Sequence, residues 1–458
     1  MRLLPSAAGV GSRRAQKAVP PAFRVETWGC QMNILDGERM SGQLLSRGFQ
    51  QAGDANSADV ILLNTCAIRE KAEAKVYSAL GRLAERKREN PELVIGVTGC
   101  MAQVQGDQIL ERAPWVDFVA GPGEVERVAE LVEKTRLERK HLLALELPTD
   151  SPVYQFRDIR RESRFSAFVT IIEGCDQFCT FCIVPFTRGR ERSRRATEIM
   201  EEVESLVAIG YSEITLLGQT VNAYRDPENG DGFGSLLRRV SSVPGLRRLR
   251  FLTSHPIFVD AAMIDALGAG GNIAPYLHLP AQSGSSRTLY RMKRRYDASG
   301  YVDIVSRIRR EVPEVALSSD FIVGFPGETE TDFQETLTLV RELRFASVFA
   351  FCYSPRPGTA AARWGSEKTV PPPEAADRLS RLLALQEELQ AETNRALVGR
   401  RFEVLVEDAQ PGKLSRGRTA CNRVIHFDDS LAGLQAGAYI SVEVTRGLPN
   451  SLLGTVAA

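Results

Sequence analysis

Three times between residues 23 and 100 a short apolar run ends in a cysteine and passes into a helical pattern. The runs "FRVETWGC", "ADVILLNTC" and "LVIGVTGC" close at Cys30, Cys66 and Cys100. Such runs read as buried strands, while "GERMSGQLLSRGF" and "REKAEAKVYSALGRLAERK" between them have the spacing of amphipathic helices. Alternation of strand and helix dictates a parallel sheet, because a parallel neighbour is reached only through a crossover. Functional groups of such sheets gather beyond the carboxyl ends of the strands, where all three cysteines fall. A lone cysteine is more often a small buried apolar residue. Three at equivalent strand ends argue for a shared task.

A charged stretch, "EKTRLERKHLLALELPTD", reads as a linker, and a second series follows it. Strands are expected at "SAFVTII", "SEITLL", "LRRLRFL", "APYLHL", "VALSSDFIV" and "SVFAFCY", with helical stretches such as "TEIMEEVESLVAIG" and "DFQETLTLVRELR" between them. Six βα units are too few for a closed eight-stranded barrel. The expectation is an open six-stranded partial barrel, with its site in the strand-end loops. Prolines 371–373 break the pattern, one more helix follows, and "RFEVLVED", "RVIHF" and "AYISVEVTRG" then read as a small antiparallel barrel. The fold class is therefore α/β, in three parts: a parallel-sheet domain over 23–140, the partial barrel over 161–392 and the small barrel over 394–458, behind an extension over 1–22.

A net charge of +1 over 458 residues excludes a general polycation, so any nucleic-acid surface must be a local patch. No apolar run approaches the about 20 residues of a membrane span, and a monomer is expected. Eight cysteines are too dilute for a disulfide scaffold and point to metal or redox work in a reducing compartment. The first 25 residues hold no acid and carry Arg2, Arg13, Arg14, Lys17 and Arg24. Two readings stay open for them, a mitochondrial transit peptide or a disordered bacterial extension. A cytoplasmic location goes with the second, which is preferred.

Directly after the first strand of the second series comes "EGCDQFCTFCIVP", with Cys175, Cys179 and Cys182 and no fourth cysteine. Closed structural metal sites ask for four protein ligands, so three leave a position open. Three thiolates on one loop suit three irons of a 4Fe–4S cluster. Zinc completed by a distant histidine or cysteine is the blander reading, but His141, His255, His278 and His426 lie far apart and none sits at ligand spacing.

The loop resembles the signature of radical S-adenosylmethionine (SAM) enzymes, with Phe181 as the aromatic before its last cysteine. Together with "TWGCQMN", "NTCAIREKAEAKV", "GCMAQ", "RGRERSR", "LLGQTVNAY", "TSHP", "HLPAQSGS", "SDFIVGFPGET" and "YSPRPGT", in order from residue 23 onward, it is similar to the methylthiotransferase family of these enzymes. The resemblance implies two 4Fe–4S clusters and SAM as cofactors. One cluster would rest on Cys175, Cys179 and Cys182, its fourth iron taken by SAM, which is cleaved to a 5′-deoxyadenosyl radical. An auxiliary cluster would rest on Cys30, Cys66 and Cys100, with an iron open to a sulfur species. An aromatic C–H bond offers neither acidity nor a leaving group, so a cofactor must carry the hard step.

Further residues follow from the same resemblance. Phe181, Gly218, Gln219, Ser254, Gln282, Gly324, Phe325 and Pro326 are the candidates for holding SAM, although "LLGQ" departs from the usual Gly-Gly-Glu form. No catalytic side chain is named beyond the cluster ligands. Gln31 and Asn33 are offered as neighbours of the substrate base. The implied partner is tRNA at its anticodon stem-loop, with the electron donor and sulfur source left open. The reaction would convert N(6)-(dimethylallyl)adenosine at position 37 to its 2-methylthio form. The alternatives are the threonylcarbamoyl version of that adenosine, a ribosomal-protein aspartate, or a non-catalytic iron–sulfur RNA-binding protein.

Two basic runs sit near the loop: Arg188, Arg190, Arg192, Arg194 and Arg195, then Arg291, Lys293, Arg294 and Arg295. Such runs usually mark a solvated face, but next to this site phosphate contact is the expectation. The small barrel resembles a TRAM domain through "SRGRTACNRVIHF", with eight basic against six acidic residues from 394 onward. Cys352 and Cys421 are read as small core residues.

Overall fold

The structure is a computed structural model that describes residues 20–67, 70–150, 156–365, 368–410, 412–428 and 433–457. The extension up to residue 19 lies outside the described residues, so neither reading of it has a structural counterpart.

The first domain is a six-stranded parallel sheet in the order β2-β1-β3-β4-β5-β6. Its strands are β1 (Ala22–Trp28), β2 (Gln50–Gln51), β3 (Val60–Thr65), β4 (Val94–Gly99), β5 (Phe118–Ala120) and β6 (Leu142–Ala144). Every residue of β3 and β4 is buried, because helices cover both faces of a parallel sheet. The register sets Trp28 beside Thr65 and Thr65 beside Gly99, so Cys30, Cys66 and Cys100 follow three adjacent strands. The stretch read as a linker is not one. Its start completes the helix Val128–Glu138 and its middle supplies β6. The mixed charges that suggested a linker belong to the exposed side of that helix.

The second domain contains the six expected strands: β7 (Ser166–Thr170), β10 (Glu213–Leu217), β11 (Arg248–Phe251), β12 (Tyr276–His278), β13 (Ala316–Val323) and β14 (Ser347–Cys352). They form two parallel sheets, β7-β10-β11 and β12-β13-β14, joined by a bridge from Leu249 to Ile273. Alternate residues such as Val169, Ile214, Leu249, Phe321 and Val323 pack against the surrounding helices in the main core. The other alternates face inward, into the barrel. A short antiparallel pair, β8 (Ile172–Glu173) with β9 (Arg192–Ser193), brackets the three-cysteine loop.

The helix Pro372–Arg395 then leads to a closed barrel of β15 (Arg401–Asp408), β16 (Leu414–Thr419), β17 (Val424–Asp428), β18 (Tyr439–Gly447) and β19 (Leu452–Val456), antiparallel as expected except at the closing seam, where β17 and β19 run parallel. It docks on the amino ends of the second domain's strands. Arg250 donates to the carbonyls of Thr419 (2.8 Å) and Ala420 (2.9 Å), and Arg248 to that of Arg418 (3.0 Å). Both arginines are buried, held in turn by Glu213 at 2.9 and 3.6 Å. Cys352 packs against the main core as expected. Cys421 does not: it sits half-buried in the docking turn, its Sγ 3.2 Å from Thr419 Oγ1. Among the described residues no helix is long and apolar enough to cross a membrane.

Candidate cluster and cofactor site

The amino-terminal trio is built by backbone geometry. Gly99 has φ +90°, and a Cβ there would lie 2.5 Å from Asn64 Oδ1 and 2.6 Å from the Thr65 carbonyl. Only glycine permits both, and β4 therefore turns at once into the helix Cys100–Gln105, with Cys100 as its first residue. Cys30 sits just before the helix Gln31–Ser46, its thiol donating to Asn33 Oδ1 at 3.3 Å. Asn33 is fully buried and locked to Asn64, whose Nδ2 donates to the Asn33 carbonyl at 2.7 Å. Asn33 thus orients the cysteine turn and is not free to meet a base, whereas Gln31 is exposed.

The second trio lies on a loop pinned at both ends. Gly174 takes φ +77°, and a Cβ on it would sit 2.0 Å from the Arg190 carbonyl. Cys175 N donates to the Gly189 carbonyl at 3.2 Å, and Cys175 Sγ lies 3.5 Å from Thr220 Oγ1. Burial, followed by the neighbouring Cys179 and Cys175, pushes the Cys182 thiol up to about 12. Cys100 and Cys175 are also raised, chiefly by burial. Buried thiols that resist ionisation beside one another are the donor set that bound iron would deprotonate outright. All six cysteines are free of disulfides. Among the described residues no three His, Cys, Asp or Glu side chains converge on a single metal ion. A 4Fe–4S cluster makes a different demand, one thiolate for each of three irons, and both trios meet it in chemistry.

One cysteine from each trio lies at the carboxyl end of β10. Cys30 packs into the cluster formed by Met32, Leu35 and Leu217, the last residue of β10. Cys175 touches Thr220, three residues further on. Helix Gln31–Ser46 thereby covers the inward face of the β7-β10-β11 half, with Phe168 and Leu252 packed against it.

Five of the nine arginines and lysines of the two basic runs turn inward, which corrects the phosphate-contact reading for them. Arg188 donates to Asp36 Oδ2 at 2.6 Å, Arg192 to Glu173 at 3.2 Å and Arg194 to Glu202 at 2.7 Å, all three buried. Arg294, also buried, donates to Cys179 Sγ at 3.3 Å, to the Pro280 carbonyl at 3.2 Å and to Tyr296 Oη at 2.9 Å. Burial opposes its charge, but Tyr296 and Cys179 more than offset this and raise its pKa. Arg291 donates to the Pro326 carbonyl at 2.8 Å and lies over Trp364. Arg190, Arg195, Lys293 and Arg295 remain exposed. One-dimensional spacing could not separate the two groups, because inward and outward arginines are interleaved along β9 and its flanks with no fixed period. Asp36 carries no signal as a site residue in the sequence, which marks Arg188 and Arg294 only as phosphate contacts.

The SAM candidates divide in the same way. Ser254 is buried and its Oγ has no hydrogen-bond partner, which fits a polar cofactor group arriving there. Thr253 before it (φ 67°) and Gln282 (φ 71°) hold left-handed conformations at strand ends, costing about 1–3 kcal/mol each. Gln219 Oε1 accepts from Gly174 N at 2.5 Å and so positions the cysteine loop. A Cβ on Gly218 would meet Ile172, and one on Gly324 would meet Ala375, so both positions need glycine for close chain packing. Phe181 meets Phe325 edge-on at 6.4 Å, and Phe325 is enclosed by Tyr353 and Trp364.

Residues 22–121 match the family model described as "Uncharacterized protein family UPF0004", and residues 169–340 match "Radical SAM superfamily". The second match implies one 4Fe–4S cluster and SAM. Among solved structures, the chain is similar to the radical SAM methyltransferase TsrM of Kitasatospora setae, with a TM-score of 0.54 and 14% identity over 82% of this chain and 90% of that one. It is also similar to the cobalamin-dependent radical SAM enzyme OxsB, with a TM-score of 0.51 and 13% identity over 81% and 56%. These two show the fold alone. Curated tRNA-2-methylthio-N(6)-dimethylallyladenosine synthases are far nearer. That of Acidothermus cellulolyticus is 44% identical over 95% of this chain and 88% of its own length. Those of Cereibacter sphaeroides and Anaeromyxobacter dehalogenans are 46% and 45% identical, over 94% and 98% of this chain and 97% and 98% of their own. These relatives are bacterial, which lends the mitochondrial reading no support. At such identity over nearly the whole of both partners, the chain belongs to the family of tRNA-2-methylthio-N(6)-dimethylallyladenosine synthases.

Proposed function

We infer that the protein is a radical SAM methylthiotransferase that converts N(6)-(dimethylallyl)adenosine at tRNA position 37 to its 2-methylthio form. The observation that supports the reading is that one cysteine of each trio, Cys30 and Cys175, lies at the end of β10, beside Leu217 and Thr220. Cys175, Cys179 and Cys182 would hold the SAM-binding cluster, and Cys30, Cys66 and Cys100 the auxiliary one. When bound, these groups supply a radical able to open an aromatic C–H bond and the sulfur that replaces the hydrogen.

The chain's own share is positioning and exclusion of water. Gln219, Gly174 and the β8-β9 pair fix the cysteine loop. Arg294 places a buried cation and an N–H donor on Cys179. Arg188 does the same near Cys100, held charged against burial by Asp36 and by the cysteines. Ser254 and the strained Gln282 are the residues proposed to contact SAM. The exposed Arg190, Arg195, Lys293 and Arg295, with the carboxyl-terminal barrel, are proposed to hold tRNA phosphates. A base must be unstacked and turned into the barrel to be reached.

The test separates the trios. Replacing Cys175, Cys179 and Cys182 by alanine should abolish formation of 5′-deoxyadenosine while about half the iron is retained. Replacing Cys30, Cys66 and Cys100 should leave that formation and stop methylthiolation. Product at normal yield from the second variant would overturn the two-cluster reading.

A further inference from the structure

The inward faces of the two half-barrels are treated differently. On β7, β10 and the end of β11, Phe168, Leu217 and Leu252 are covered by Met32 and Leu35 of the first domain. Among the described residues no such cover lies on β14. Val348, Ala350 and Cys352 point to the main core, and the alternates Phe349 and Phe351 point inward with 49% and 44% of their surface exposed. Two large exposed aromatics side by side on an inner wall are costly to leave in water and mark a binding surface.

We propose that Phe349 and Phe351, with Ile322 beside them on β13, seat the dimethylallyl group of the substrate adenosine. The pairing register sets Ile322 next to Phe351 and Asp320 next to Phe349. Ile322 also packs against the cluster of Phe325, Tyr353, Trp364 and Phe181, so the apolar wall is continuous with the SAM end of the barrel. Cys30 of the auxiliary trio packs with Leu217 on the other half-barrel. Carbon 2 and the N(6) substituent of adenine flank N1 and leave the ring in different directions. With carbon 2 turned to the auxiliary site, the substituent reaches toward β13 and β14. A branched five-carbon chain with no hydrogen-bonding group needs an apolar wall, and this is the exposed one.

The polar neighbours sharpen the choice. His278 meets Phe349 edge-on at 6.0 Å, its Nδ1 2.9 Å from Ser318 Oγ and its Nε2 3.5 Å from Asp320 Oδ2. Asp320 therefore presents a carboxylate at the rim of the wall. A threonylcarbamoyl substituent carries its own carboxylate, which would meet two phenyl rings and a like charge. An uncharged alkenyl chain meets neither penalty. The inference rests on the methylthiotransferase reading above and names the residues that set its substrate.

The test is binding of three anticodon stem-loops, carrying dimethylallyladenosine, threonylcarbamoyladenosine or plain adenosine at position 37, to the cluster-loaded full chain. The wild type should favour the dimethylallyl form. Phe349→Ala and Phe351→Ala should each lower the preference over plain adenosine by about tenfold or more, and Phe351→Leu should restore most of it. Iron content and the thermal midpoint should stay unchanged in all three variants, since these side chains are half exposed. Variants that keep the wild-type preference would overturn the seat and leave the function reading standing. A wild type with no preference among the three stem-loops would overturn both.

Discussion

Arg188, six residues beyond the last cysteine of the SAM-type loop, donates to Asp36 of the first domain at 2.6 Å, with both side chains almost wholly buried. Arg39 approaches the same carboxylate at 3.5 Å and Glu173 at 3.7 Å. One ion network thus ties the helix that follows Cys30 to the loop that carries Cys175, Cys179 and Cys182. The separation of the two trios is set by side chains and not only by covalent linkage.

Breaking that network should be expensive. Arg188→Ala leaves Asp36 buried opposite a single, more distant guanidinium, and loss of one partner of a buried pair costs roughly 3–5 kcal/mol. Denaturant titration should show that loss, and hydrogen exchange should locate it in residues 31–46. Arg188→Lys should recover only part, because a point charge cannot reproduce a planar fork. A variant as stable as the wild type would show the pair to be dispensable.

Arg294 should raise the reduction potential of the cluster proposed at Cys179. An N–H donor and a cation stabilise the more negative, reduced state. Replacing it by glutamine should lower the potential by on the order of 40 mV, the one-electron equivalent of roughly 1 kcal/mol for a hydrogen bond. Redox titration followed by electron paramagnetic resonance reads this directly. An unchanged potential would make Arg294 a packing residue only.

His255 predicts an acid limb in the stability profile. Burial, then Arg294 and Arg295, push its pKa from 6.5 down to about 2, and its neutral Nδ1 accepts from Ile257 N. The folded value lies below the unfolded one, so its contribution is complete above pH 6.5 and is lost as pH falls from there toward 2. His255→Asn keeps an acceptor but cannot titrate. Between pH 6.5 and 5 its unfolding free energy should fall by about 2 kcal/mol less than that of the wild type, as measured by urea unfolding at each pH. Parallel profiles would contradict the assignment.

Arg250 should hold the carboxyl-terminal barrel in place. Arg250→Ala removes the donors to Thr419 and Ala420 and leaves Glu213 with Arg248 at 3.6 Å as its guanidinium partner. Amides of β16 and β17 should exchange faster. Binding of tRNA should weaken, and the barrel's part of that binding should fall steeply with salt, as phosphate contacts do. Faster exchange with unaltered tRNA affinity would separate docking from RNA binding and count against the barrel as an RNA module.

Much of this was legible along the chain. Periodicity alone located β1, β3, β4 and all six strands of the partial barrel, because buried parallel strands are continuous apolar runs that need no partner to be recognised. The two trios were legible for a similar reason: a cysteine at a strand end keeps that position however the sheet is assembled. What no linear reading could decide is which side of a polar run faces inward. Arg188, Arg192, Arg194 and Arg294 look like a nucleic-acid patch in sequence and are internal partners in the folded chain. Asp36 and Cys179 reach Arg188 and Arg294 from more than a hundred residues away, and Glu173 and Glu202, though nearer in sequence, meet Arg192 and Arg194 only once the β8-β9 pair and the following helix are packed. β6 was hidden inside an apparent linker for want of its neighbour β5. The exposed inner wall at Phe349 and Phe351 likewise exists only once the first domain has covered one half of the barrel and left the other open. Local pattern determines the elements and their ends, whereas burial, pairing and the lining of a cavity are properties of elements brought together from distant parts of the chain.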